Sequence, residues 1–263
     1  MKLVSWNVNG IRAAAKKGFL TWLEQCEADI IGLQEVRALS HQIPEDLVSP
    51  SGFHAHFFAG KKPGYSGVGL YSRLPVDFIE SEFGEPRFDH EGRIQIAHFG
   101  KLLVANVYFP NGKGKDGDNS RIPYKLDFYR YLFDILQKKQ SEGFRIIVMG
   151  DYNTAHQEID LARPKENREV SGFCQNERDE ITRWLDAGYV DSYRHFHEDK
   201  AQRYTWWSQR AGARQRNVGW RIDYLLANAA AAPFMLSGDI HPEVLGSDHC
   251  PVSLVVDDKI IQP

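Results

Sequence analysis

The chain has 263 residues, 42% of them hydrophobic, and a formal charge of −3 at pH 7. That length and apolar content allow a large buried core, and the near-neutral total excludes a protein that coats nucleic acid through uniform positive charge. No apolar run is long enough to cross a bilayer, and the start MKLVSWNVNG lacks the apolar stretch of a secretory signal.

From the N-terminus, KLVSWNV reads as a strand. Phe19, Trp22, Leu23 and Cys26 then recur at the i, i+3, i+4, i+7 spacing of a half-buried helix. DIIGLQE, SGVGLYS, RIQIAHF, LLVANVYF and RIIVMGD read as further strands. Between the last two, a long helix is expected from Ile122 to Gln140, with Pro123 in the first turn, where a missing N–H costs little. A second helix is expected from Glu177 to Asp186, and RYTWW, RIDYLLA and PVSLVV read as strands of the last third. Strands alternating with helices predict layered α/β architecture. There is no linker, repeat or low-complexity segment, so one domain over residues 1–263 is expected. Cys26, Cys174 and Cys250 are far apart with no Cys-x-x-Cys. Neither a disulfide framework nor a zinc site follows from them, and a reducing, cytoplasmic setting without membrane contact is expected.

Polar groups follow the apolar runs. Asn7 and Asn9 follow LVSW, Glu35 follows IIGLQ, Tyr108 follows LLVANV, and Asp151 and Asn153 follow RIIVMG. Asp223 lies inside RIDYLL, and Asp248–His249 precedes the final strand. Loop tips over a rigid sheet are where sites are assembled, although each residue also has a local reading as a turn or cap. Glu35 is the hardest to read locally, because an acid at the end of a buried run needs a cation or donors; Arg37 is a candidate partner. As a set these side chains are oxygen-rich, which suits a hard divalent ion such as Mg²⁺. His54 and His56, a tight His pair, have no neighbouring ligands in the sequence. The stretch RYTWWSQRAGARQRNVGWR carries Arg203, Arg210, Arg214, Arg216 and Arg221 among Tyr204, Trp206, Trp207 and Trp220, with no acid. It reads either as a localised polyanion-binding face or as a solvated loop followed by core aromatics.

Seven motifs in order, SWNVNGIRAA, IIGLQEVR, GYSGVGLYS, NVYFPNG, GDYNTAHQEIDL, NVGWRIDYLL and LGSDHCPVSL, span nearly the whole chain. Together they resemble the exonuclease III family of apurinic/apyrimidinic (AP) endonucleases, within the endonuclease/exonuclease/phosphatase superfamily. The resemblance implies a four-layer α/β sandwich, two mixed sheets face to face with helices outside. It implies an Mg²⁺-dependent phosphodiesterase, with Mn²⁺ a possible substitute, that cuts DNA 5′ of an abasic site and leaves a 3′-hydroxyl. Glu35 would be the principal metal ligand, with Asn7 and Asp248 close to the ion or its waters. Asp151 would deprotonate the attacking water and Asn153 would hold it in line. His249 would contact the phosphate, kept charged by Asp223, and Tyr108 would add a hydroxyl.

Trp206, Trp220 and Ile222 would line a pocket for a flipped, baseless deoxyribose. Arg37, Tyr65 and the 167–173 segment beginning at Asn167 would hold flanking phosphates. The partner would be duplex DNA with an abasic site or a blocked 3′ end, met by a monomer. At position 9 the family varies between Asp and Asn, so Asn9 removes an acid but not the site. The loop after Tyr108 matches no single family pattern; Gly112 and Gly114 argue against a large wedge there. Two alternatives are kept: an enzyme chiefly trimming 3′ ends, and a non-catalytic nucleic-acid-binding module, against which the intact acids and His249 weigh.

Overall fold

The computed structural model describes residues 1–263. Fourteen strands occur in chain order: β1 Lys2–Asn7, β2 Ile30–Gln34, β3 His54–Phe58, β4 Val68–Ser72, β5 Phe78–Glu80, β6 Ile94–Phe99, β7 Leu102–Tyr108, β8 Arg145–Asp151, β9 Val190–Asp191, β10 Trp206–Trp207, β11 Gly219–Trp220, β12 Asp223–Ala227, β13 Met235–Ile240 and β14 Val252–Val256. Six form one mixed sheet in the order β13-β14-β1-β2-β4-β3, and six form another in the order β5-β6-β7-β8-β12-β9. β10 and β11 make a separate two-stranded ribbon.

Strand periodicity explains the layering, because successive side chains point to opposite faces. On β8, Ile147 and Met149 enter a core shared with Leu3, Ile30, Leu70 and Leu254 of the other sheet. The alternate residues Ile146 and Val148 pack outward against Phe128, Leu132 and Leu136 of the Ile122–Ser141 helix and Trp184 of the Gln175–Asp186 helix. Val4, Trp6, Ile31 and Leu33 face outward from the first sheet onto Phe19 and Leu23 of the Phe19–Gln25 helix. Three apolar layers thus separate helix, sheet, sheet and helix, which is the expected four-layer sandwich. Each fully buried Leu, Ile or Phe contributes about 1.5–3 kcal/mol through water exclusion.

The same alternation aims the polar ends. Asp151 is in step with Ile147 and Met149, Asp223 with Leu225 and Ala227, and Asn7 with Leu3, so all three point into the space between the sheets. Register brings them to one end. β1 and β2 are parallel with Asn7 opposite Gln34, β7 and β8 are parallel with Tyr108 opposite Asp151, and antiparallel β12 sets Asp223 opposite Asp151. Below this end lies a polar floor: Gln34 Nε2 donates to Ser5 Oγ at 3.0 Å and to Asn106 Oδ1 at 2.8 Å. Asn106 donates in turn to the Gly69 carbonyl at 2.8 Å. The sheets approach closely at Gly32, where a Cβ would lie 2.8 Å from Asn106 Oδ1.

Several expected elements differ in detail. RYTWW is extended as a strand only over Trp206–Trp207, and the helical stripe ends at Gln25 with Cys26 as its C-cap. His54 and His56 sit on edge strand β3, outside the one compact group of three potential metal-ligating side chains.

Candidate active site

The chain leaves β1, β2 and β8 through turns that use left-handed backbone. Asn9, Glu35, Arg37 and Asn153 have φ of 46°, 58°, 53° and 50°. Asn tolerates this region, whereas Glu and Arg there cost on the order of 1–3 kcal/mol each and need surrounding structure to hold them. That structure is a clamp. The Gly10 N–H donates to the Glu35 carbonyl at 2.8 Å, and the Val36 and Arg37 N–H groups donate to Gly67 and Ser66 at 3.0 and 2.8 Å. Glu35 is thereby tipped over the mouth of the sandwich.

Asn7 is the bridge between the two sheets. Its Nδ2 donates to Glu35 Oε2 at 3.0 Å and to Asp151 Oδ2 at 2.8 Å, while its Oδ1 accepts the Asn9 N–H at 2.9 Å. Asn7 thus stands directly beside Glu35, its amide nitrogen facing the two carboxylates and its oxygen engaged by backbone. Asp151 also accepts from the Asn153 N–H at 2.8 Å and Asn153 Nδ2 at 3.3 Å. Asn153 is steadied by donating to the Phe109 carbonyl at 3.0 Å. Arg37 pairs with Glu35 Oε1, its Nε at 2.9 Å, which is the local partner foreseen for that acid.

The adjacent Asp248 and His249 face different neighbours. Asp248 Oδ1 accepts from Asn9 Nδ2 at 2.7 Å and Oδ2 from Trp206 Nε1 at 3.1 Å. His249 Nδ1 lies 2.9 Å from Asp223 Oδ2, and its Nε2 lies 3.9 Å from Asp151 Oδ2. Ser247 makes the turn, donating to the Asn7 carbonyl at 2.8 Å and accepting the His249 N–H at 3.2 Å.

Burial and charge set the protonation states. Burial, reinforced by Asp223 and opposed by His249, pushes the Asp151 carboxyl up to about 7. Burial alone would lower His249, but the Asp223 and Asp151 carboxylates outweigh it and raise the imidazole to about 10. Burial would also raise Asp248, yet the His249 charge and the Asn9 and Trp206 donors hold it below the usual carboxylate range. Tyr108 is pushed well above its ordinary value by burial, with Glu35 adding and Arg93 opposing, so its hydroxyl is a donor at neutral pH.

A cleft of about 520 Å³ opens over these groups. Glu35, Tyr108, Asp151, Asn153, Asp248 and His249 line it together with Trp206, Trp220 and Ile222, Trp206 lying directly beside Asp248 and His249. Asn9, Arg37 and Asn167 reach its rim, whereas Asn7 and Asp223 are buried beneath it. Trp206 and Trp220 stand edge to face with ring centroids 6.4 Å apart. Tyr65 is the exception: it does not line the cleft but stands behind Tyr108, its hydroxyl accepting from Arg93 at 2.8 Å and Arg121 at 3.3 Å. Arg93 is buried, lies 4.7 Å from the Tyr108 ring centroid, and had no signal in the sequence beyond one basic residue opening a strand.

The arginine-rich stretch divides between the two readings offered for it. Arg210 and Arg216 line the cleft. Arg214 instead donates to the carbonyls of Pro242, Val244 and Ser247, Arg221 is buried against Asp160 and Asp191, and Arg203 pairs with Asp239. Asn111 and Lys113, in the loop after Tyr108, also reach the cleft.

Ligand atoms of Asp151, Asp223 and His249 fall within 4.8 Å of one another, a group compact enough to hold a metal ion. An imidazolium already shared by two carboxylates is a poor ligand, however, and the oxygen-only set on the Glu35 and Asp248 side better suits a hard cation.

Buried acids around an imidazole, at the open end of two facing sheets, define an enzyme of the two-sheet α/β phosphoesterase type. Residues 4–249 match the Endonuclease/Exonuclease/phosphatase family, and the chain belongs to it. It is 42% identical over 258 residues to an exodeoxyribonuclease of Bacillus subtilis (strain 168), covering 97% of this chain and 99% of that protein. It is 36% identical over 258 residues to a DNA-(apurinic or apyrimidinic site) endonuclease of Dictyostelium discoideum, covering 98% of this chain and 71% of that protein. Among solved structures it resembles the 3′-5′ exonuclease (NExo) from Neisseria meningitidis, with a TM-score of 0.88, 27% identity, and coverage of 98% of this chain and 100% of that one.

Proposed function

We propose that this enzyme is a Mg²⁺-dependent DNA-repair phosphodiesterase that hydrolyses the backbone 5′ of an abasic site and leaves a 3′-hydroxyl. The same centre would trim nucleotides or blocking groups from 3′ ends, and the enzyme would act as a monomer, with Mn²⁺ able to replace Mg²⁺. The observation that carries this reading is the joining of two surfaces in one cleft. Acids and an imidazole suited to a phosphate adjoin the apolar surface of Trp206, Trp220 and Ile222.

Glu35 would hold the ion, with Asp248 close to it or to its waters; the carboxylates of both now accept hydrogen bonds, Glu35 from Asn7 and Arg37 and Asp248 from Asn9 and Trp206. The ion supplies a positive charge for the phosphate oxygens and the departing oxygen. Asp151 takes a proton from the attacking water, and a carboxylate raised to about 7 is a stronger base than an ordinary one. Asn153 orients that carboxylate. Water oxygen bonds to phosphorus, the P–O3′ bond breaks, and the 3′ oxygen leaves to become the hydroxyl. His249, charged, and Tyr108, protonated, donate to non-bridging oxygens. A deoxyribose without a base fits against the tryptophans, whereas an intact nucleotide is too large and pays for unstacking.

Trp220→Ala is expected to lower kcat/KM on an abasic duplex at least tenfold more than on a recessed 3′ end. Parallel incision and trimming assays measure it, and equal losses would remove the pocket. The pH profile of kcat/KM should lose activity as pH falls through about 7, when Asp151 gains its proton, and again as pH rises toward about 10, when His249 loses its own. A bound cation moves the acid limb to lower pH. A profile still climbing at pH 10 would contradict both assignments.

A further inference from the structure

Lys125 and Glu177 form an ion pair, Nζ to Oε1 2.5 Å, with both side chains 0% exposed. Withdrawing two charges from water costs several kcal/mol per ion, so such a pair is weak support for stability by itself. Apart from the Cys174 N–H, which Glu177 caps at the start of its own helix, its remaining hydrogen bonds run to loops of the cleft. Lys125 Nζ donates to the Asn153 carbonyl at 2.7 Å. Glu177 accepts from Ser171 Oγ at 3.1 Å, the Gly172 N–H at 2.6 Å and the Cys174 N–H at 3.3 Å.

The two loops so tethered carry different tasks. Asn153 orients Asp151 from a left-handed turn. Val170, Ser171 and Gly172 face the cleft beside Trp220. Gly172 has φ +98°, and a Cβ there would lie 3.1 Å from the Asn153 carbonyl oxygen and 3.3 Å from the Trp220 ring. Its carbonyl accepts the Ala155 N–H at 2.8 Å, so the loops also touch directly. The cation holds one loop and the anion holds the other.

We infer that Lys125 and Glu177 are positioning residues whose ion pair fixes the register between the water-orienting Asn153 and the pocket wall at 170–174. The inference rests on the proposed abasic-site function. Polarity is part of the device: Asn153 offers a carbonyl and needs a donor, while Gly172 offers an N–H and needs an acceptor. An exchange of the two charges restores an ion pair but not this arrangement.

The test compares Lys125→Met, Glu177→Gln and the double exchange Lys125→Glu/Glu177→Lys with the parent, on an abasic duplex and a recessed 3′ end, at saturating Mg²⁺. Hydrogen exchange at the Gly172 and Cys174 amides is followed without metal. The expected result for Lys125→Met is a fall of about 10–100-fold in kcat on the abasic duplex with KM within about threefold, since a misplaced group about 1 Å away costs that much. Loss on the 3′ end should be smaller, and the two amides should exchange faster while global unfolding is less affected. The exchanged pair should fold yet stay inactive. If Lys125→Met does not fold, Glu177→Gln, which keeps an acceptor oxygen, is read the same way. A parent that fails to cut the abasic duplex would refute the function. A cutting parent whose folded variants stay within threefold, or regain activity on charge exchange, would overturn the positioning role alone.

Discussion

Asp151→Asn is expected to lower kcat by about 10³–10⁴-fold, the upper part of what a positioned base contributes, while leaving the fold intact. The environment is what makes the substitution informative. Asp151 sits among donors, namely Asn7 Nδ2 and the Asn153 N–H and Nδ2. Asparagine keeps one carbonyl oxygen for them and has the same shape, and it removes a buried carboxylate whose ionisation the site already resists. The lost acceptor oxygen and the removal of that disfavoured ionisation act in opposite directions on stability, so the variant should stay folded. Single-turnover incision with thermal melting separates the two effects. A variant within tenfold of the parent would show that another group takes the proton.

His249→Ala should lose a comparable factor in kcat, but it should also unsettle the fold. The imidazole lies between Asp223 and Asp151, so its removal leaves two buried carboxylates with no cation, a change that costs about 3–5 kcal/mol when one partner of a buried pair is deleted. The pH dependence follows from the raised value of His249. Its stabilisation is complete below the ordinary imidazole value near 6.5 and is lost as pH rises through about 10. Denaturant melts should show the gap between parent and variant wide at pH 7 and narrower at pH 10. A gap unchanged across that range would mean the imidazole is neutral in the folded state.

The candidate core was legible because it is tied to strand ends. A strand with apolar residues on both faces, followed at once by an acid or amide, announces where that side chain points; Glu35 and Asp151 lie in such places, and His249 stands just before the last strand. The strands missed from sequence were β3, β5, β9, β11 and β13, each at the edge of a sheet. Edge strands bury less, so β5 and β9 are only three and two residues long, and β13 carries Ser237, Gly238 and Asp239 with a bulge near Met235. Nothing in their apolar pattern distinguishes them from loop. A family motif carries a position but not the direction of a side chain, and the Tyr65 hydroxyl accepts from Arg93 and Arg121 outside the cleft.

The Lys125–Glu177 pair lay in reach of the sequence. Lys125 falls at i+3 on the apolar stripe of Ile122, Leu126 and Tyr129, and Glu177 occupies the same stripe as Ile181 and Trp184. A charge on the buried face of a helix requires a partner. The 52 residues between them conceal which partner it is.

Loop tips from two sheets are expected to act together on one phosphate beside a pocket for a missing base. Incision of an end-labelled duplex carrying a single abasic analogue, with Mg²⁺ and with EDTA, measures whether they do. The expected product is one nick on the 5′ side of the lesion ending in a 3′-hydroxyl, abolished by EDTA and restored by added Mg²⁺. Incision that persists without metal, or an intact lesion strand beside a digested 3′ end, would contradict it.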